Sequence, residues 1–176
     1  MLSAKDFSAS FNNKEWPKHT LVFFTVRQKN SPDLEKFLKS NAPNKHAEIF
    51  VLEELQKHIP QNEENYIVTL FMSYTPCADC SERILNFLKQ NTRVSMEIHA
   101  SVIFHEEDFE NLRGLRLLNN AGVSISMMNQ RDYEECFQLL VSPQEEFVPW
   151  DELDKNSERN ANSLARILNR FYLMLA

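Results

Sequence analysis

Two short segments of the sequence carry residue types that can bind a metal ion and move protons. The first is His46-Ala47-Glu48, and the second is Pro76-Cys77-Ala78-Asp79-Cys80. Cys77 and Cys80 are three positions apart, so on a helix both thiols lie on one face. A helix N-terminus lowers the pKa of a thiol and favours thiolate, the form that binds zinc. With His46 supplying a neutral nitrogen, the spacing predicts a zinc site whose ligands are His46, Cys77 and Cys80.

Three protein ligands predict a catalytic zinc. They leave the fourth tetrahedral position to water, whereas structural zinc is usually bound by four side chains. Zinc in such a site lowers the pKa of its water to about 7. Glu48 is two residues from His46, is not counted as a ligand, and is the predicted acid and base that takes and delivers protons. The order H-x-E followed by P-C-x-x-C is the signature of zinc-dependent deaminases, so the sequence predicts hydrolytic deamination.

Either segment alone would be weak evidence. His and Glu are common on helix surfaces, and a single C-x-x-C is more often a redox or structural pair. The combination is more specific, because the order of the segments, the leading Pro76 and the lack of a fourth Cys or His ligand all agree. Cys136 lies on an apolar helical face with Phe137 and Leu140, and we expect it to be a buried small hydrophobic residue.

Composition limits the other kinds of function. The 176 residues suffice for a buried core, and we expect residues 1–176 to form one deaminase domain. Only two glycines occur, which excludes Gly-rich phosphate-binding loops. The net charge of -6 disfavours tight, indiscriminate binding to phosphate. Three cysteines with one close pair favour a metal site in a reducing compartment, and no apolar stretch has the length of a signal peptide or membrane span. We therefore expect a cytoplasmic or nuclear protein with no membrane partner.

The two segments are each predicted at the start of a helix, within a chain that alternates between strands and helices. Strands are predicted at residues 20–27, 66–72, 94–104 and 123–128. Helices are predicted at residues 3–12, from 46, from 76, and at 107–120, 132–141 and 156–175. Residues 31–44 have a mixed pattern with two prolines and are assigned to neither class. This alternation predicts an α/β fold with helices packed around one sheet.

Over nearly its whole length the sequence resembles the AID/APOBEC family of polynucleotide cytidine deaminases. HAEIF at residues 46–50 and SYTPCADC at 73–80 are similar to the two zinc motifs of that family, and GLRLL at 114–118 is similar to its fourth helix. ELDKNS at 152–157, together with FNNK at 11–14, is most similar to single-domain antiviral members. The resemblance implies a cytidine-deaminase-like fold, with one five-stranded mixed sheet flanked by about six helices and one zinc ion per chain.

The resemblance also implies a substrate and the residues that contact it. Members of the family convert cytosine to uracil in single-stranded DNA or RNA, which implies a role in nucleic-acid editing or antiviral restriction. The resemblance further implies that the chain associates with copies of itself, directly or through RNA. Carried over position by position, the implied substrate-binding residues are Thr20, Asn41, Tyr74, Thr75 and Phe104. Lys18 and His19 are further candidates, because their loop could offset the acidic charge of residues 105–109. His105 and Glu106 are candidates because they directly follow Phe104 and should meet the nucleotide before the target base.

Four of the compared positions depart from the family pattern. Tyr74 stands in place of a tryptophan, Thr75 in place of a serine, Phe104 in place of a tyrosine, and Val102 where an arginine is usual. Tyr74 and Phe104 keep aromatic surfaces for stacking. Phe104 lacks a hydroxyl group that could reach a phosphate. These departures concern the level of activity and not the fold.

Three functions are open from the sequence. A free-nucleoside or tRNA-type deaminase shares the zinc chemistry, but the two helices predicted after the last strand favour a polynucleotide deaminase. A catalytically weak member that binds nucleic acid or protein is favoured by the acidic charge and by Val102 and Phe104, and disfavoured by Glu48. If the chain acts on a polynucleotide, the acidic loop at residues 105–109 is expected to select the neighbouring base, with His105 and Glu106 as the readers.

Overall fold

The computed structural model describes residues 1–174, with side chains through residue 169. Within this part of the chain, strands and helices alternate in the order α1 (Ala4–Phe11), β1 (Leu21–Gln28), β2 (Glu35–Ser40), α2 (Ala47–His58), β3 (Tyr66–Tyr74), α3 (Ala78–Gln90), β4 (Val94–Val102), α4 (Phe109–Asn120), β5 (Ser124–Met127), α5 (Gln130–Leu140) and α6 (Leu153–Met174). The predicted α/β fold, with five strands and six helices, is confirmed.

The five strands form one mixed sheet in the order β2-β1-β3-β4-β5. β1 is antiparallel to both β2 and β3, whereas β3, β4 and β5 run parallel to one another. Tyr74 pairs with Val102, so the carboxyl ends of β3 and β4 meet at the same edge of the sheet. In α/β proteins ligands bind beyond the carboxyl ends of such strands. The predicted metal ligands and Glu48 lie at this edge of the sheet.

Helices cover both faces of the sheet, because side chains along each strand alternate between the two faces. On one face, alternate residues of β1, β3 and β4 pack with α2, α3, α4 and α6 in a core that includes Phe24, Leu70 and Ile98. On the other face, Phe23 and Phe71 pack with α1 and α5. Cys136 of α5 is fully buried in this second core, as predicted. No described helix combines the length and the apolar character that a membrane span requires.

The main difference from the sequence prediction is β2, which lies in the unassigned stretch at residues 31–44. It is the edge strand, and its side chains are exposed or half-buried, so no run of apolar residues marks it. Its pairing with β1 defines it. α3 begins at Ala78, two residues after Pro76, because Cys77 has an extended backbone and is the N-cap residue. Gly122 follows the end of α4 with φ at 95°, the left-handed conformation that glycine commonly adopts just after a helix.

Candidate active site

Two helix N-termini bring the three predicted metal ligands together. His46 and Cys77 are the residues that immediately precede α2 and α3, and Cys80 lies in the first turn of α3. Nδ1 of His46 lies 3.6 Å from Sγ of Cys77 and 3.4 Å from Sγ of Cys80. Ligand atoms from all three residues lie within 4.8 Å of one another. Tetrahedral zinc, with Zn–N near 2.0 Å and Zn–S near 2.3 Å, needs ligand atoms roughly 3.5 Å apart, so the donor set fits zinc.

The ligand side chains do not cap the helices that they precede. Neither His46 nor Cys77 makes a side-chain capping hydrogen bond, although an N-cap side chain commonly does so. Asparagines from other parts of the chain accept a hydrogen bond from the first N–H of each helix instead. Oδ1 of Asn41 accepts a hydrogen bond from the N–H of Ala47 at 2.7 Å, and Oδ1 of Asn111 accepts one from the N–H of Ala78 at 2.9 Å. The histidine and the cysteine are thereby left available to a metal.

The two thiols ionise unequally in the absence of a metal. A hydrogen bond from the Cys80 thiol, helped by the nearby His46, lowers the pKa of Cys77 to about 5. The pKa of Cys80 is raised, because its thiol donates that hydrogen bond and because it is buried. A dication bound between them would favour the thiolate form of both, since coordination deprotonates a thiol.

Glu48 lies in the first turn of α2 and is buried, with 6% of its surface exposed. Burial disfavours the charged form and raises the pKa of its carboxyl group above the usual range. A carboxyl group with a raised pKa exchanges protons more readily near neutral pH, which suits a general acid and base. It lines the same pocket as His46 and Cys77.

That pocket has a volume of about 60 Å³ and opens at the carboxyl edge of the sheet. Besides His46, Cys77 and Glu48, it is lined by five substrate-binding residues that the family resemblance implies: Thr20, Asn41, Tyr74, Thr75 and Phe104. The rings of Tyr74 and Phe104 meet edge to face, with centroids 5.6 Å apart. The pocket therefore joins aromatic surface to the metal donors and the carboxyl group.

The other four predicted substrate residues lie outside this pocket lining. Lys18 and His19 are exposed on the loop between α1 and β1. His105 lies on the rim, with its ring centroid 4.4 Å from that of Phe104. Glu106 lines a different groove, between α4 and α6. The roles of these four residues stay predictions.

Trp16 is a rim residue that the sequence reasoning missed. It is 53% exposed, and its ring centroid lies 5.4 Å from Tyr74, 6.5 Å from Phe104 and 5.2 Å from His105. The loop that carries it is tied to the pocket, because the hydroxyl of Tyr74 donates a hydrogen bond to the carbonyl of Pro17 at 2.7 Å. A tryptophan in a polar loop was the available signal, since exposed aromatic surface often marks a binding site.

Comparison with known proteins identifies relatives of this chain. A family model described as "APOBEC3, cytosine deaminase domain" matches residues 1–168. The "DNA dC->dU-editing enzyme APOBEC-3G" of Chlorocebus aethiops is 30% identical, over 92% of this chain and 47% of the relative. The "DNA dC->dU-editing enzyme APOBEC-3H" of Homo sapiens is 26% identical, over 95% of this chain and 89% of the relative. The chain thus spans about half the length of the APOBEC-3G relative and most of the APOBEC-3H relative.

Proposed function

Because the chain belongs to the APOBEC3 family of cytosine deaminase domains, we propose that residues 1–176 act as one domain that deaminates cytosine to uracil in single-stranded DNA. The observation that carries the proposal is the convergence of His46, Cys77 and Cys80 beside buried Glu48. The relatives' names refer to DNA, and this favours DNA over RNA as the substrate.

Zinc is the cofactor that this donor set supports. Two cysteine sulfurs and one imidazole nitrogen suit zinc, and three ligands leave one position open. His46, Cys77 and Cys80 would hold one ion per chain. When bound, zinc supplies Lewis-acid activation of the water that attacks the amino-bearing carbon of cytosine.

Glu48 carries the proton transfers of the proposed reaction. Its carboxylate takes a proton from the attacking water and delivers it to the ring nitrogen. A second proton, from the hydroxyl group now bonded to the amino-bearing carbon, then passes through Glu48 to the amino group. The carbon–nitrogen bond breaks as the carbonyl forms, so that cytosine and water become uracil and ammonia. Burial of Glu48 keeps this exchange away from bulk water and raises the pKa of the carboxyl group.

The rim around the pocket supports a polynucleotide substrate over a free nucleoside. A target base must leave its stack to enter the pocket, and its neighbours then lie on the rim. Trp16 and His105 extend the aromatic surface from Tyr74 and Phe104 out to solvent, where they can stack on bases of a single strand. A free nucleoside would have no use for this outer surface.

The cellular setting is part of the same proposal. The three cysteines are free, which fits the reducing cytoplasm or nucleus. In either compartment the protein would edit nucleic acid or restrict viruses by deaminating cytosine. Association with RNA, or of the chain with itself, would accompany this role as the family resemblance implies. With a net charge of -6, binding to nucleic acid should be weak and salt-sensitive.

A substrate panel tests the proposal. Zinc-loaded protein is incubated with a single-stranded DNA that holds one cytosine, the same sequence as RNA, the same DNA as a duplex, and free cytidine. We expect uracil in single-stranded DNA and little in the duplex, because pairing holds the base in the stack. Uracil from free cytidine alone would support a nucleoside deaminase, and no product from any substrate would support a binding protein that retains zinc.

A further inference from the structure

Helix α4 packs closely against the N-terminal turn of α3, the turn that carries both cysteine ligands. Asn111 of α4 is 6% exposed, and its Oδ1 accepts the hydrogen bond from the N–H of Ala78. Gly114 is one turn further along α4 and therefore on the same helical face. A Cβ atom at Gly114 would lie 2.8 Å from Oγ and 2.9 Å from Cβ of Ser81.

The hydrogen bond from Ala78 is important because the start of α3 lacks its usual cap. The first N–H groups of a helix have no partner within the helix, and Cys77 does not supply one from its side chain. Asn111, more than thirty residues further along the chain, satisfies the first of them. The bond also fixes the backbone directly after Cys77.

Gly114 allows α4 to pack closely against α3. It lies in the middle of α4, and because it has no side chain it leaves space for atoms of α3. The atoms that need the space belong to Ser81, which directly follows Cys80. The Ser81 hydroxyl is fully buried and has no hydrogen-bond partner among the described residues. The Ser81 side chain therefore packs against Gly114 without bonding to a polar group.

We propose that Asn111 and Gly114 are positioning residues of the metal site, which hold the first turn of α3 so that Cys77 and Cys80 face His46. The inference rests on the proposed function in that it takes these three residues to bind zinc. His46 precedes α2, so the site is assembled from two helices whose relative position must be fixed. A shift of α3 would change the distances of 3.4 and 3.6 Å between the sulfurs and Nδ1 of His46. Changes to residues that orient metal ligands weaken metal affinity by about 10- to 100-fold.

The first test measures zinc binding in the purified protein. Asn111→Leu keeps the number and branching of the side-chain heavy atoms but removes the acceptor, and Asn111→Asp keeps an acceptor. Asn119→Leu makes the same change at an exposed position of α4 and is the control. The zinc dissociation constant is measured by competition with a chromophoric chelator. We expect an increase of about tenfold for Asn111→Leu, with Asn111→Asp and Asn119→Leu remaining close to the wild type.

Melting temperatures with and without zinc separate positioning from general stability. Zinc stabilises the folded state according to its affinity, so weaker zinc binding narrows the difference between the two melting temperatures. We expect Asn111→Leu to narrow that difference. A purely structural residue would lower both temperatures equally and leave the zinc dissociation constant unchanged, and this result would overturn the inference.

A second pair of variants tests the helix contact independently of Asn111. Gly114→Ala should also raise the zinc dissociation constant, because the added Cβ displaces α3. Adding Ser81→Gly removes both clashing atoms and leaves Cα of Ala78, at 3.5 Å, as the nearest atom of α3. The double variant should regain zinc affinity. Unchanged affinity in Gly114→Ala, or no recovery in the double variant, would contradict the positioning role. A wild-type protein that binds no zinc would overturn the proposed function and this inference together.

Discussion

The hydroxyl oxygen of Thr75 accepts a hydrogen bond from the backbone N–H of Phe104 at 2.9 Å. The N–H of Thr75 in turn donates to the carbonyl of Val102, also at 2.9 Å. Thr75 is 2% exposed and lies between β3 and the cysteine ligands. It therefore ties the segment that carries the ligands to the aromatic residue that lines the pocket.

We predict that Thr75→Val impairs both stability and catalysis. Valine has nearly the same shape but no acceptor, so the N–H of Phe104 loses its partner at a cost of about 1–3 kcal/mol in the free energy of unfolding. Displacement of Phe104 should lower kcat/KM, since misplacement by about 1 Å can cost on the order of 100-fold. Thr75→Ser keeps the hydroxyl and should retain most of both properties. Equal behaviour of the serine and valine variants in denaturant unfolding and deamination assays would show that the bond is unimportant.

Trp16 should contribute to nucleic-acid binding with little effect on stability. Loss of one stacking aromatic residue weakens single-strand binding by about 1–3 kcal/mol, which is roughly 5- to 150-fold in dissociation constant. Trp16→Ala is measured by fluorescence anisotropy with a labelled single strand. Leu117→Ala is the control, because Leu117 is also an exposed large apolar residue, at 43%, but lies within α4, away from the aromatic rim. If both variants bind as the wild type does, the aromatic rim is not a binding surface.

His105 should influence which base precedes the target cytosine. Its ring contacts both Phe104 and Trp16, whereas Glu106 lines a groove elsewhere. His105 has φ at 40°, a conformation that asparagine also adopts, so His105→Asn should preserve the loop. Asp108 is left unchanged because its side chain caps α4.

The readout for His105→Asn is the relative deamination of four oligonucleotides that differ only in the preceding base. We expect the ranking of the four to change. Glu106→Gln, tested in parallel, should have the smaller effect because of its position. A uniform fall in activity with an unchanged ranking in both variants would mean that this loop does not read sequence.

The sequence could predict that His46, Glu48, Cys77 and Cys80 come together, because each pair is close in sequence at the start of a helix. His46 and Glu48 are two residues apart, and Cys77 and Cys80 are three apart. Local spacing alone therefore predicts that the members of each pair lie close together. Five pocket-lining residues came from the family resemblance. The predicted strands and helices agree within a few residues for the same local reason, since hydrophobic periodicity marks an element whose face is buried.

The features that the sequence could not predict depend on tertiary contacts. β2 becomes a strand by pairing with β1, and its half-exposed side chains carry no clear pattern. Trp16 meets Tyr74 and His105 only after the sheet brings the loop before β1, the end of β3 and the loop after β4 to one edge. Asn111 acts on a backbone group 33 residues away, which no local spacing reveals.

We propose that Glu48 transfers protons beside a zinc ion held by His46, Cys77 and Cys80. The most direct test changes only the carboxyl group of Glu48. Wild-type protein and Glu48→Gln are prepared with zinc, their zinc content is measured, and both are incubated with a single-stranded DNA that holds one cytosine. Uracil is detected by excision and strand cleavage. We predict one zinc per chain in both proteins, uracil formation by the wild type, and a rate at least about 100-fold lower for the glutamine variant. A zinc-loaded Glu48→Gln protein that keeps most of the wild-type rate would contradict the account.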